Sequence, residues 1–169
     1  ATVAESAPGT GFTAVYWENG IQEINDSYAE VEVVNQTTAY VLVVNDYTPE
    51  KVFPVNLKVE GTKYFKNEDG TDVADWGEYE FTVVLQRHES DGWKTVEEVT
   101  VDNENRKFAF DLSQQAYTVP GVYSYQIFEK EGDYEGVFYD NVWHTFSVKV
   151  SDEDMDGSLE IVSVYSEHT

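Results

Sequence analysis

The sequence contains no cysteine, which removes a disulfide framework, a thiolate zinc site and a cysteine nucleophile from consideration. Basic residues are scarce: 10 Lys and Arg stand against 33 Asp and Glu in 169 residues, a formal net charge of -23 at pH 7. A chain that neutralises phosphate oxygens needs the opposite balance, so nucleic acid is excluded as a partner. Long apolar runs are missing as well. The longest purely aliphatic stretch is Val41 to Val44, far short of the about 20 residues of a spanning helix, and no membrane insertion is expected. No phosphate loop or nucleophile elbow occurs, and His88, His144 and His168 lack metal spacing, so neither a cofactor nor an enzyme with turnover is expected. The chain starts at Ala1 without a basic-then-apolar leader and reads as a mature or excised segment. What is plentiful is aromatic residues, at 15%, together with β-branched ones, which disordered acidic tails lack.

The periodicity is almost everywhere that of strands. Tyr79 to Leu85, Phe108 to Leu112, Tyr123 to Ile127, Phe146 to Val150 and Leu159 to Val164 alternate apolar and polar side chains between Gly, Asp or Asn turns. Phe12 to Trp17, Tyr28 to Val34 and Ala39 to Tyr47 are further strand candidates, and Val55 to Lys63 leads into the main set. Short strands at such spacing, with no sustained helical period, predict an all-β antiparallel sandwich. Residues 1–11 are small and polar and read as a flexible arm, residues 12–49 as a set of N-terminal strands, and residues 50–169, beyond the Thr48-Pro49 break, as the main domain.

Successive Cβ atoms on a strand point to opposite faces, so parity assigns side chains to sides. Lys63 ends the apolar row Val55, Leu57, Val59, Gly61; Glu129 ends the row Tyr123, Tyr125, Ile127; and Asn45 lies among Val41, Val43 and Tyr47 on a strand whose other face is also apolar, so it is expected to be buried. A lysine and a carboxyl buried together among aromatics are driven toward their neutral forms. A neutral amine is a nucleophile, and a protonated carboxyl polarises an amide carbonyl. The chemistry available is attack of the Lys63 amine on the Asn45 side-chain amide with loss of ammonia, reacting once per molecule. The plain alternative is that Lys63 snorkels to solvent and Glu129 merely opens an exposed turn with Lys130, Glu131 and Gly132.

Five segments carry a resemblance: Val55 to Phe65, Gly77 to Leu85, Pro120 to Glu129 with its Gly-x-Tyr-x-Tyr-x-Ile-x-Glu strand, Val137 to Asp140, and Asp156 to Leu159. Together, over roughly residues 52–165, the chain resembles the streptococcal pilin isopeptide linker domain family. The resemblance implies an immunoglobulin-like sandwich of the Cna B type, a structural role in a Gram-positive pilus shaft or adhesin stalk, and an extracellular, cell-surface location. It also implies that Lys63 matches the cross-linking lysine and Glu129 the catalytic glutamate. In that family the reactive Asn sits on the closing strand in a motif like Phe-x-Asn-x-Tyr-x-Pro, yet no Asn follows Asn141 here. The look-alike, Val43-Val44-Asn45-Asp46-Tyr47-Thr48-Pro49, precedes the opening strand.

An intrachain bond would ask residues 47–54 to return along strand 55–63, a reach of about 28 Å against roughly 30 Å of strand. Donation of strand 39–47 to the next subunit is favoured instead, with identical subunits or tandem neighbouring domains as partners. Asn35, on a face with Val31 and Val33, is the alternative electrophile. The rival reading is a surface carbohydrate-binding or calcium-stabilised adhesin module without a cross-link, its host-surface or glycan ligand unknown. For it speak the tryptophans Trp17, Trp76, Trp93 and Trp143, and Asp152, Asp154 and Asp156 in an Asp-x-Asp-x-Asp-Gly run. That run lacks a glutamate at its twelfth position, Ser163, so a solvated acidic hairpin stands against it.

Overall fold

The computed structural model describes residues 2–3, 10–18, 21–22, 29–30, 38 and 40–167. Among them there is no helix, and the strands are β1 (Thr2–Val3), β2 (Phe12–Glu18), β3 (Ile21–Gln22), β4 (Ala29–Glu30), β5 (Val41–Tyr47), β6 (Lys58–Thr62), β7 (Phe81–Glu89), β8 (Gly92–Val101), β9 (Lys107–Asp111), β10 (Gly121–Glu129), β11 (His144–Ser151) and β12 (Glu160–Glu167). The expected all-β antiparallel sandwich is what forms. The chain divides into two compact units, one of residues 1–52 and 152–160, the other of residues 53–151 and 161–169.

In the first unit β5 and β3 flank β2, and β1 pairs with β4. Register sets Tyr16 opposite Val43 and Ala14 opposite Asn45. Ala14 and Tyr16 are buried with Val41 and Val43 packed on them. On the other face of β5, Leu42 is 58% and Val44 38% exposed. The turn at residues 152–158 is bound to the end of β5: Glu50 bridges Ser158, Leu159 donates its N–H to the Glu50 carbonyl, and Gly157 donates to the Tyr47 hydroxyl at 3.1 Å.

The second unit is the sandwich. One sheet runs β12-β11-β10-β7-β8 and the other pairs β6 with β9. β9 delivers Phe108 onto a buried cluster of Trp76, Phe81 and Val101, so side chains from both sheets fill one interior. Phe81 meets Trp76 edge to face at 5.5 Å and Phe65 at 5.0 Å, the geometry aromatic quadrupoles favour. On the opposite face of the large sheet, buried polar side chains pair across strands, with Gln126 donating to Gln86 at 2.6 Å and Ser124 bonding Ser147 at 3.2 Å.

Strand β1, at Thr2–Val3, lies within the stretch read as an arm, and β3 was not anticipated; in the second unit β6 and β8 differ from the sequence reading, each for a local reason. The opening strand begins at Lys58 rather than Val55, because Asn56 adopts a positive φ of 64° and the Leu57 N–H closes a turn onto the Pro54 carbonyl. Val55 is left 77% exposed, while Leu57, Val59, Gly61 and Lys63 keep the inward parity. The ten-residue strand β8 was not anticipated: its register shifts opposite Leu85 and Gln86, inserting Val96, and a bulge of this kind breaks the period of two on which recognition depends.

Gly61 sits opposite Phe108 in the β6–β9 register, and the Phe108 ring occupies the space a side chain would need. Gly61→Ala forces that ring out of the cluster and is expected to destabilise the unit by about 1–3 kcal/mol, read as a lower denaturation midpoint at unchanged m-value. A second consequence concerns Tyr117 and Tyr125, both fully buried and sharing a 2.7 Å hydroxyl contact. Burial first, and the mutual contact second, raises the Tyr117 hydroxyl well above the ordinary phenol range; burial also raises Tyr125. The unfolded chain therefore ionises first, so stability that is complete below the ordinary phenol range is lost as pH climbs toward the raised folded values. Ultraviolet titration should show both phenols ionising only together with loss of the fold, and ionisation at ordinary phenol pH in a folded protein would contradict it.

Candidate functional site

Lys63 follows β6 directly, its backbone N–H bonded to the Arg106 carbonyl at 2.8 Å so that the ladder to β9 holds its Cα in place. Its side chain is 15% exposed and its Nζ lies over the Phe81 ring, 4.7 Å from the centroid. Glu129 is the last residue of β10, fixed opposite Val83 of β7, and its side chain is 5% exposed. Lys63 Nζ and Glu129 Oε1 are 2.7 Å apart. The approach lies outside hydrogen-bond angles and Oε1 has no other partner, so the contact is a close electrostatic pair rather than a directed hydrogen bond. Glu129 Oε2 accepts the backbone N–H of Asp140 at 2.7 Å.

The surroundings explain how such a pair can exist. Phe81 supplies a π-face to the ammonium, a contact worth about 0.5–2 kcal/mol, and Tyr134 and Tyr139 pack on Phe81 from the long β10–β11 connection. A cavity of about 220 Å³ opens at the pair, walled by Val83, Phe108, Ile127 and Phe128 and rimmed by Thr62, Val142 and His144. Its lining is largely apolar and includes the Lys63 amine, the Glu129 carboxyl, Asp140 and His144.

The structure thus brings together Lys63 and Glu129, each of which parity had placed on an inward face. Asn45 is another matter: it lies on β5, in the first unit, and it is exposed rather than buried. An apolar sequence on both faces of a strand does not by itself provide cover, and in the short β3-β2-β5 sheet the described apolar cluster reaches Ala14, Tyr16, Val41 and Val43. Asn35 lies outside the described residues. Asp152, Asp154 and Asp156, in the first unit, bring one carboxylate oxygen each to within 4.8 Å of the others. Tyr47 donates its hydroxyl to Asp152 at 3.0 Å, and burial together with that bond raises the Tyr47 hydroxyl above the usual phenol range.

Residues 59–169 match the family described as FctA, the Spy0128-like isopeptide-containing domain. The chain belongs to the FctA family. The match takes in Gly61, Lys63, Phe81, Glu129 and Asp140, all of the described site. No curated protein and no solved structure matches the chain. FctA domains are pilin-type and isopeptide-containing, with an immunoglobulin-like fold; they are generally structural rather than enzymatic and generally belong to the outer cell surface. Sequence reasoning missed the ring beneath the amine and the Asp140 N–H on the carboxylate. The first had a signal, Phe81 at the head of an apolar strand; the second is a backbone contact and had none.

Because the pair is buried, removing one partner strands the other. Lys63→Ala leaves the Glu129 carboxylate unpaired, whereas Lys63→Met combined with Glu129→Leu replaces both charges by apolar groups. Neither variant has the lysine amine, so the comparison isolates the pair itself. The single variant is expected to be less stable than the double by about 3 kcal/mol, measured by urea denaturation.

Proposed function

We propose that this FctA-family chain is a structural module of an extracellular pilus, filament or adhesin stalk, stabilised by an autocatalytic isopeptide bond. The observation that carries the reading is the 2.7 Å approach of Lys63 Nζ to Glu129 Oε1 in an apolar, aromatic pocket. Lys63 is the nucleophile and Glu129 the proton shuttle. The ammonium gives one proton to Glu129, and the amine lone pair forms the new C–N bond at an Asn side-chain carbonyl, whose oxygen the protonated carboxyl polarises. The carboxyl then returns its proton to the departing nitrogen and takes the second proton from the attacking one, the old C–N bond breaks, and ammonia leaves with the isopeptide in place and the carboxyl protonated.

Asn45 is the electrophile in this reading, supplied by a neighbouring subunit or tandem domain, with Asn35 its alternative. Support comes from the edges of the sheets. Among the described residues β6 pairs with β9 alone, and β5 is the outer strand of its own sheet. A strand added beside β6 would gain ladder hydrogen bonds while carrying its Asn toward Lys63. Exposure of Asn45, Leu42 and Val44 is in keeping with a segment that finds its cover in another copy. Once formed, such a bond carries tension through covalent links rather than through a hydrogen-bond ladder. The strongly acidic composition would keep crowded external filaments from adhering to one another.

The second reading, a calcium-stabilised or sugar-binding adhesin module without a cross-link, has the convergence of Asp152, Asp154 and Asp156 in its favour. Intact mass of the denatured protein, beside a boiled denaturing gel, separates the two. A ladder of multiples short by one ammonia per junction is the expected result, and Lys63→Ala or Glu129→Ala should abolish it. A single-chain band short by one ammonia would keep the bond but remove strand donation. Full monomer mass would overturn the cross-linking reading.

A further inference from the structure

The segment between β10 and β11, residues 130–143, has no regular structure yet is tied to the site at several points. Lys130 donates its backbone N–H to the Thr82 carbonyl at 2.8 Å. The Tyr134 ring packs on Tyr79 at 4.8 Å, and its N–H donates to the Tyr139 hydroxyl at 3.3 Å. Gly132 leaves room for Tyr139: a Cβ there would lie 2.5 Å from the Tyr139 hydroxyl oxygen and 2.9 Å from its Cζ. Asp140, next in the chain, then bends back on itself, its Oδ1 accepting the Val142 N–H at 2.9 Å, a turn made by the side chain two residues ahead of the donor. The outcome of this chain of contacts is the aim of one peptide group, the Asp140 N–H, at Glu129 Oε2.

We propose that Asp140 is a positioning residue for the cross-linking reaction: its side chain sets the turn that aims its N–H at Glu129 Oε2, leaving Oε1 as the atom that receives and returns the proton. The two carboxyl oxygens differ in this structure. Oε2 accepts an N–H, which stabilises carbonyl or anionic character on it. Oε1 is buried, has no hydrogen-bond partner and faces the lysine. A proton leaving Lys63 Nζ therefore goes to Oε1, the protonated group keeps its C=O at Oε2, the same Oε1–H later goes to the leaving nitrogen as ammonia departs, and Oε1 takes up the second proton from the attacking nitrogen. A freely rotating carboxyl would exchange these roles and spend part of its time with the hydroxyl turned away from the amine.

This assignment rests on the cross-linking reading, and its test keeps the two apart. The fraction of chain short by one ammonia would be followed over time and across pH for the wild-type protein, Asp140→Asn and Asp140→Ala. Asp140→Asn retains both the Oδ1 acceptor and the N–H and should react within about twofold of wild type; Asp140→Ala loses the turn and should be slower by about tenfold or more, in line with the sensitivity of positioned groups to small displacements. A fold-only effect is separated by amide NMR. The Asp140 N–H should resonate downfield in the wild-type protein and return upfield in Glu129→Ala. Ammonia loss at one pace in all three proteins, or an Asp140 resonance indifferent to Glu129→Ala, overturns the positioning role while leaving the cross-link standing. A wild-type chain that never loses ammonia overturns the cross-linking reading and this role with it.

Discussion

A lysine and a glutamate placed together inside an aromatic pocket are the constraint around which the second unit is organised. Neither charge belongs there alone, since an unpaired ion in an apolar interior is several kcal/mol unfavourable. Each is tolerated because the backbone holds both side chains at fixed points on different sheets. Lys63 hangs from the β6–β9 ladder and Glu129 from the β7–β10 ladder. The sandwich must therefore close in one register for the pair to exist, and the absence of a side chain at Gly61, which lets Phe108 into the interior, is part of that closure.

The same arrangement links stability to chemistry. A contact without hydrogen-bond alignment, between an amine over a π-face and an otherwise unsatisfied carboxyl oxygen, is a poor end state for two buried charges. Under the cross-linking reading it is a reactive intermediate stage, because conversion to a neutral amide removes the charge on the amine permanently. Folding then supplies the alignment, and the bond preserves what folding assembled.

The first unit is built on a different scale. Its described apolar cluster is small, and much of β5 remains exposed. Polar contacts add to it: Tyr47 reaches from the end of β5 to Asp152 and accepts from Gly157, drawing the acidic turn of residues 152–158 to the same place. The residues that resemble a family closing motif, Val43 to Pro49, thus have a structural role within this unit through Tyr47 as well as the reactive role proposed for Asn45.

The class of the protein was legible in its sequence. The lack of cysteine and of basic residues, together with strands of period two bounded by Gly and Asp, leaves an acidic β-sandwich, and parity alone placed Lys63 and Glu129 on inward faces. These are local properties: alternation follows from the pleat of any extended backbone. Strand β8 escaped because a bulge at Val96 breaks that local rule, and the start of β6 was misplaced because Asn56 leaves the extended region. Whether an inward face has anything to cover it is not local. The partnership of Lys63 with Glu129, the Phe81 ring beneath the amine, the Asp140 amide on the carboxylate and the exposure of Asn45 were decided by tertiary structure, because each depends on which distant segment packs against a face, and alternation along one strand carries no information about its neighbour.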